Sequence, residues 1–209
     1  MTTQQFLQKQ KLPYEAKVAH AEIRAWEFYK EVNGNKYNAN CNISVGGLDS
    51  IVLYLFLRSI GIKIPAVSVS VLEDKSIQEI HKQLNVITVR PLKTKLDVIK
   101  EFGFPVISKE KAGKIELLQT PDNPKQTFIH ALMTGQMGKQ GNYGYSDDLK
   151  LQDKWIKLFG GLYKHHRPDI VCKTAPFKVS NKCCDWLKKM PMTKWQEKNN
   201  SYPYLGMMA

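Results

Sequence analysis

Long apolar runs are missing from this chain. No stretch approaches the roughly 18 to 20 uninterrupted apolar residues that span a bilayer, and the opening MTTQQFLQKQKLP lacks the apolar segment of a secretory signal. A cytoplasmic protein without membrane contact is therefore expected. Cysteine is scarce as well: Cys41, Cys172, Cys183 and Cys184 are the full set. In that compartment they read as thiols or metal ligands, not as a disulfide framework. Neither GxxxxGK followed by Ser or Thr nor GxGxxG occurs, and no internal repeat is visible. His81, His130, His165 and His166 form no metal spacing with carboxylates, and His165 with His166 reads as a solvated turn. No Ser/His/Asp set stands out, so no catalytic residue is assigned.

What is present suits a folded domain: 209 residues, 43% hydrophobic and 24% charged. Lys and Arg number 31 against 19 Asp and Glu, a formal charge of +12 that favours anionic partners, whether a phosphate-rich small molecule or nucleic acid. The lysines fall in separate clusters (KTKLDVIK, SKEKAGK, KHHR, LKKMPMTK), so a solvated basic surface accounts for them equally well. Composition does not specify an oligomeric state.

Hydrophobic spacing organises the chain. Ala16, Ala19, Ile23, Trp26 and Tyr29 recur every three or four residues and predict a helix over 14–32, ended by Asn33, Gly34 and Asn35. CNISV (41–45) predicts a short buried strand running into Gly46 and Gly47. IVLYLFLRSI (51–60) predicts a helix covered on most sides. IPAVSVSV (64–71) and VITVRPL (86–92) predict further strands, separated by a helix over 76–84 with Ile77, Ile80 and Leu84 on one face. The alternation implies an α/β fold with a mostly parallel sheet and right-handed crossovers. LDVIKEFG continues as a helix, FPVIS (104–108) as an extended piece, and KEKAGKIELL as another helix. Beyond 119 the pattern loosens into a turn-rich TPDNPKQ and a glycine-rich irregular loop over 134–148. Short helices are predicted over 154–163 and over 180–190, the second with Ser180 as cap and Pro191 as stop. The expected organisation is an N-terminal helical segment (1–36), a nucleotide-binding core (37–119) and a loop-rich, helical C-terminal part of the same domain (120–209).

The segment SVGGLDS (44–50) carries the chemistry. Glycines at 46 and 47 bring backbone N–H groups close to an anion with no Cβ in the way, and the helix that begins near Leu48 adds its positive end. Ser50 can donate a hydroxyl hydrogen bond. Asp49 opposes a bare phosphate and suits helix capping or a Mg²⁺ carried by a nucleotide. A glycine pair that merely bends a strand into a helix has the same local sequence.

VGGLDS (45–50) resembles the SGGxDS signature of the PP-loop superfamily of adenine nucleotide alpha hydrolase-like proteins. That group includes N-type ATP pyrophosphatases and phosphoadenylyl-sulfate (PAPS) reductases. FGFPVISKE (102–110) resembles the YGYPVISKE segment of PAPS reductase-like proteins, FKVSNKCCDWLKKMP (177–191) their FKISxKCCxxxKKxP segment, and PYLGMMA (203–209) the GTMA strand that follows. The motifs occur in the family's order across most of 41–209.

The chain departs from the family at Val45, where the signature has serine, at Leu48, and over 68–76, which lacks TGxxxPET. The ECGxH tail is absent, so a member truncated at its C-terminus is expected.

The resemblance implies an open, doubly wound, Rossmann-like sheet with an irregular C-terminal extension. It implies ATP or adenosine phosphosulfate, with or without Mg²⁺, held at Ser44, Val45, Gly46, Gly47, Leu48, Asp49 and Ser50. The adenine would lie near Ser70, with Lys109, Lys178 and Lys182 toward the phosphates. In adenylyl-sulfate reductases a CC pair joins a later CxxC to hold a [4Fe–4S] cluster; Cys183 and Cys184 match the pair, and no CxxC follows. Three functions are expected to compete: a sulfonucleotide reductase, an ATP pyrophosphatase for tRNA or DNA thiolation, and a nucleotide-binding module without turnover.

Overall fold

The computed structural model describes residues 2–34, 37–138, 141–175 and 177–206. The chain is α/β, with one four-stranded, all-parallel sheet in the order β3-β2-β1-β4. It divides into two compact units, residues 1–91 with 188–209 and residues 92–187. The expected boundaries at 36/37 and 119/120 fall inside these units. Among the described residues no helix is long and apolar enough to cross a membrane.

The first unit holds the sheet. Helix α1 (Thr3–Gln10) begins with a capping box in which Thr2 and Gln5 bond reciprocally, a signal that periodicity alone does not carry. Helix α2 (Tyr14–Asn33) matches its predicted span, with Gly34 as its C-cap; Asn35, expected to help end it, lies outside the described residues. Strand β1 (Asn40–Ser44) is central, paired on one side with β2 (Ala66–Ser68) and on the other with β4 (Ser201–Leu205). β3 (Ile87–Thr88) pairs with β2 at the edge.

Helix α3 (Leu48–Ser59) returns the chain from β1, and α4 (Lys75–Gln83), capped by Asp74, returns it from β2. β2 is far shorter than the apolar run over 64–71, because a 3-10 turn at Ser70–Leu72 ends it. Ile43, Leu57 and Ile62, each at most 1% exposed, centre a core that also takes Val32, Tyr54 and Tyr204. The Tyr204 hydroxyl donates to the Ala25 carbonyl at 2.7 Å and ties α2 to β4. Asn42 is fully buried within β1; its Oδ1 accepts from Ser201 Oγ at 2.8 Å, while its Nδ2 has no partner among the described residues. A buried polar pair of this kind penalises a slipped register between β1 and β4. Pro203, which lacks a backbone donor, is tolerated because β4 is an edge strand.

The second unit packs α6 (Lys109–Leu118), α7 (Gln126–Thr134) and α8 (Asp153–Phe159) around Ile115, Ile129, Met133, Leu151 and Ile156, all fully buried. α5 (Lys95–Phe102) precedes them, capped by Thr94. Two sequence expectations fail here. FPVIS is no strand: Phe104 makes one isolated parallel bridge to Val179, and Ile107 turns to φ +67, which stops extended pairing. The glycine-rich loop is not irregular throughout, since Gln136 and Tyr145 form an antiparallel bridge and Met137 N–H bonds the Gly144 carbonyl at 2.8 Å; Lys139 and Gln140 lie outside the described residues.

Pro191 does not stop its helix. Helical structure runs from α9 (Lys182–Cys184) through a π turn (Asp185–Lys189) into α10 (Met190–Lys198), with Pro191 in the first turn of α10. There its missing N–H is no loss, and the π turn makes the shift in bonding that a proline requires. Ser180 does not cap either; Asn181 is the N-cap residue, and Ser180 Oγ accepts from Lys182 N–H at 3.4 Å.

Candidate functional site

Strand β1 delivers the chain to residues 45–50 at the point where the sheet order reverses, with β2 on one side and β4 on the other. In open parallel sheets the crevice beyond the strand ends is widest there. Val45 is the last anchored residue, buried, with its N–H donating to the Val67 carbonyl at 2.9 Å. Gly46 N–H then donates to Ser50 Oγ at 2.8 Å, and the Ser50 hydroxyl donates to the Gly47 carbonyl at 2.8 Å. Ser50 therefore closes the loop internally, with its hydroxyl committed, instead of presenting it outward. Ser44 Oγ is reached by Gln196 Nε2 of α10 at 3.4 Å.

Gly47 is the N-cap residue of α3, with no side-chain cap. The N–H groups of Gly47, Leu48 and Asp49 find no acceptor among the described residues, and all three residues are exposed. Asp49, expected to cap or to face a metal, makes no hydrogen bond or ion pair among the described residues.

Neither glycine is demanded by the fold. Gly47 has φ −83° and ψ −168°, open to any residue, and a Cβ there would have nothing within 4 Å. Gly46 has no positive φ, and a Cβ would meet only Glu73 Oε1 at 3.7 Å, an ordinary contact. The bend over 46–47 is thus made without left-handed backbone, a correction to the reading in which glycine permits the turn. What the two glycines keep clear is the space outside the loop.

Three further groups surround this loop. His81, 2% exposed on α4, places Nε2 3.1 Å from the Gly46 carbonyl oxygen and Nδ1 2.8 Å from Ser70 Oγ. Ser70, expected beside an adenine, has its hydroxyl hydrogen-bonded to His81. Glu73 pairs with Lys188 at 2.8 Å, its side chain 19% exposed against 48% for the lysine. Gly206 lies against the first turn of α3, where a Cβ would come within 2.9 Å of Ser50 Cα; Met207, Met208 and Ala209 of the expected strand lie outside the described residues. The GG pair and its flanking residues carried a local signal, while Gly206 and Lys188 lay in segments that carry the family resemblance. His81 was hidden inside the apolar stripe of α4, and the other two come from distant parts of the chain.

The chain matches no protein-family model, no curated protein and no solved structure with which it was compared. Function therefore rests on the geometry.

Lys109, Lys178, Lys182, Cys183 and Cys184 belong to the second unit. Lys109 Nζ lies 3.9 Å from Asp185 Oδ1, and Lys178 accepts at its carbonyl from Phe104 N–H. Cys183 and Cys184 are half-buried free thiols. An iron–sulfur cluster takes four protein ligands. No group of three or more His, Cys, Asp or Glu among the described residues is placed to hold a metal. Trp186 stacks on Phe102 at 5.2 Å between centroids, with Lys93 Nζ 4.5 Å from the indole, and serves packing.

His165 and His166 are not a solvated turn. They end a 3-10 segment, Gly161–His166, in which His166 is partly buried with Nδ1 3.2 Å from His130 Nδ1. Arg167 beside them is held by Asp153 and Asp169, at 3.2 and 2.7 Å. Burial, with His165 and His130 adjacent, lowers the His166 imidazole from 6.5 to about 4. The unfolded chain therefore binds a proton that the folded chain refuses between those values, so stability rises with pH across that window. Acidification from pH 7 toward 4 is expected to lower the melting temperature, and His166→Phe is expected to flatten that slope. Parallel slopes in thermal melts of the two proteins would contradict the assignment.

Proposed function

We propose that this chain binds an adenine nucleotide through its phosphates at residues 46–49, as a PAPS reductase-like protein of the PP-loop superfamily with a doubly wound, Rossmann-like sheet. The observation that carries the reading is the glycine pair without an internal reason. Two adjacent residues lack side chains where the described residues would accept them, beside three N–H groups with no acceptor among the described residues at the start of a 12-residue helix. Amides so arranged, with the helix dipole behind them, are suited to an anion. In such a site they would stabilise charge developing at a nucleotide phosphorus or sulfur.

Asp49 and Glu73 favour ATP with Mg²⁺ over a sulfonucleotide. Two carboxylates stand at the loop, and among the described residues Lys188 pairs with Glu73 and no cation pairs with Asp49. A polyphosphate is repelled by Asp49 unless a divalent ion lies between them, and Mg²⁺ binds through one or two carboxylates together with substrate phosphates. The residues present fit such an ion; Asp49 would hold it, and it would screen phosphate charge. The basic surface suits a nucleic-acid second substrate, which makes nucleic-acid thiolation the first of the competing activities to examine.

Calorimetric titration with ATP, adenosine phosphosulfate and its 3′-phosphorylated form, each with and without Mg²⁺, tests the reading. Tightest binding is expected for ATP with Mg²⁺. Preference for the sulfated pair moves the assignment to a sulfonucleotide protein, and no uptake of any of the three overturns it.

A further inference from the structure

We infer that His81 is a positioning residue that locks the Gly46–Gly47 peptide with its N–H facing outward; as a functional claim this rests on the nucleotide reading above. The geometry is specific. A peptide unit is planar and trans, so its carbonyl oxygen and N–H point in opposite directions. His81 Nε2 lies 3.1 Å from the Gly46 carbonyl oxygen, on the buried side of the loop. The N–H of Gly47 in the same peptide is thereby directed away from His81, and Gly47 itself is exposed.

A lock is needed because this peptide is unusually free to turn over. Flipping it rotates Gly46 ψ and Gly47 φ together, taking Gly47 from −83° to about +97°, which glycine alone adopts at little cost. The flipped loop would present a carbonyl oxygen to an incoming phosphate in place of a donor. The glycines that admit the anion thus also make the loop reversible, and the neighbouring bonds of Ser50 leave the Gly46 carbonyl free. His81 is the group that takes it. A carbonyl only accepts, so Nε2 carries a proton, and in the neutral ring Nδ1 then accepts from the Ser70 hydroxyl at 2.8 Å. Ser70 orients the ring, and the ring orients the peptide.

The test uses the full chain and Mg²⁺-ATP. His81→Gln is expected to weaken ATP binding tenfold or more in calorimetry. In the ligand-free protein, it is expected to broaden the Gly47 amide resonance by exchange between the two peptide orientations. Ser70→Ala, which keeps the bond to Gly46, should weaken binding less than threefold. A residue that only supported the fold would lower the melting temperature without altering the Gly47 amide of the folded protein. ATP binding by His81→Gln within twofold of the parent, with an unchanged Gly47 amide, overturns the inference.

Nitrogen-15 spectra of the parent give a second check that needs no variant. The imidazole should carry its proton on Nε2, and a neutral ring protonated on Nδ1 overturns the lock. Should the parent bind no ATP, the nucleotide reading fails, while the Gly47 amide and the imidazole spectrum still decide whether the lock exists.

Discussion

A Gly47→Val protein is expected to fold like the parent and to lose nucleotide binding. The backbone at Gly47 is extended and a Cβ there meets nothing within 4 Å, so the cost to folding is limited to a poorer helix N-cap, about 1 kcal/mol or less. The isopropyl group would instead stand where a phosphate must approach the amides of Gly47, Leu48 and Asp49. An affinity loss of at least ~100-fold is expected, roughly 2.8 kcal/mol at 1.4 kcal/mol per tenfold. The separation of the two effects makes the variant informative. Calorimetry and thermal melts of parent and variant measure both, and undiminished ATP binding by a folded Gly47→Val protein would falsify the site.

Gly103→Ala should produce the opposite pattern, a large loss of stability in the second unit. Gly103 closes α5 at φ +104° and ψ 179°, a region essentially restricted to glycine. A Cβ there would lie 2.4 Å from the Lys178 carbonyl oxygen and 2.5 Å from its carbon. Phe104 N–H bonds that same carbonyl at 2.9 Å, and Phe104 bridges Val179, so the two segments cannot separate without losing both interactions. Backbone strain and overpacking together predict a loss of about 3 to 5 kcal/mol. Gly144 is the control: at φ +91° with open space around it, alanine there carries the backbone penalty alone, about 1 to 2 kcal/mol. Urea unfolding followed by tryptophan fluorescence compares them, and equal losses at the two positions would refute the close approach.

The FGFP segment shows what a sequence can and cannot convey. The helix expected over LDVIKEFG forms as α5 and ends at Gly103, but nothing local conveys that the following residues meet residues 178–180 instead of forming a strand. The helices α2, α4 and α6 were legible from local spacing and terminal signals, whereas α3, expected to be covered on most sides, leaves Val52 and Leu55 exposed. The strands were legible in position but not in length. Ala66–Ser68 ends early because Ser70 turns toward His81, a contact between elements that no window of residues contains. The same limit governs the candidate site. Gly46 and Gly47 announce themselves by adjacency. Glu73 and Lys188 are 115 positions apart and meet only once the sheet is assembled. Pro191 misled for a different reason: a proline's effect depends on whether it falls in a first turn, and the π turn before it is not written in composition.

The sheet has its first three strands within the opening 91 residues, while the fourth lies beyond residue 200. β4 is the neighbour that covers the free side of β1 and supplies Ser201 to the buried Asn42 amide. During synthesis on the ribosome the whole of residues 92–187 must therefore emerge before that side can be sealed. The nascent chain carries an uncovered central strand for that interval. Closing so distant a contact is slow relative to local helix formation, and an exposed strand edge is the kind of surface that draws in other chains.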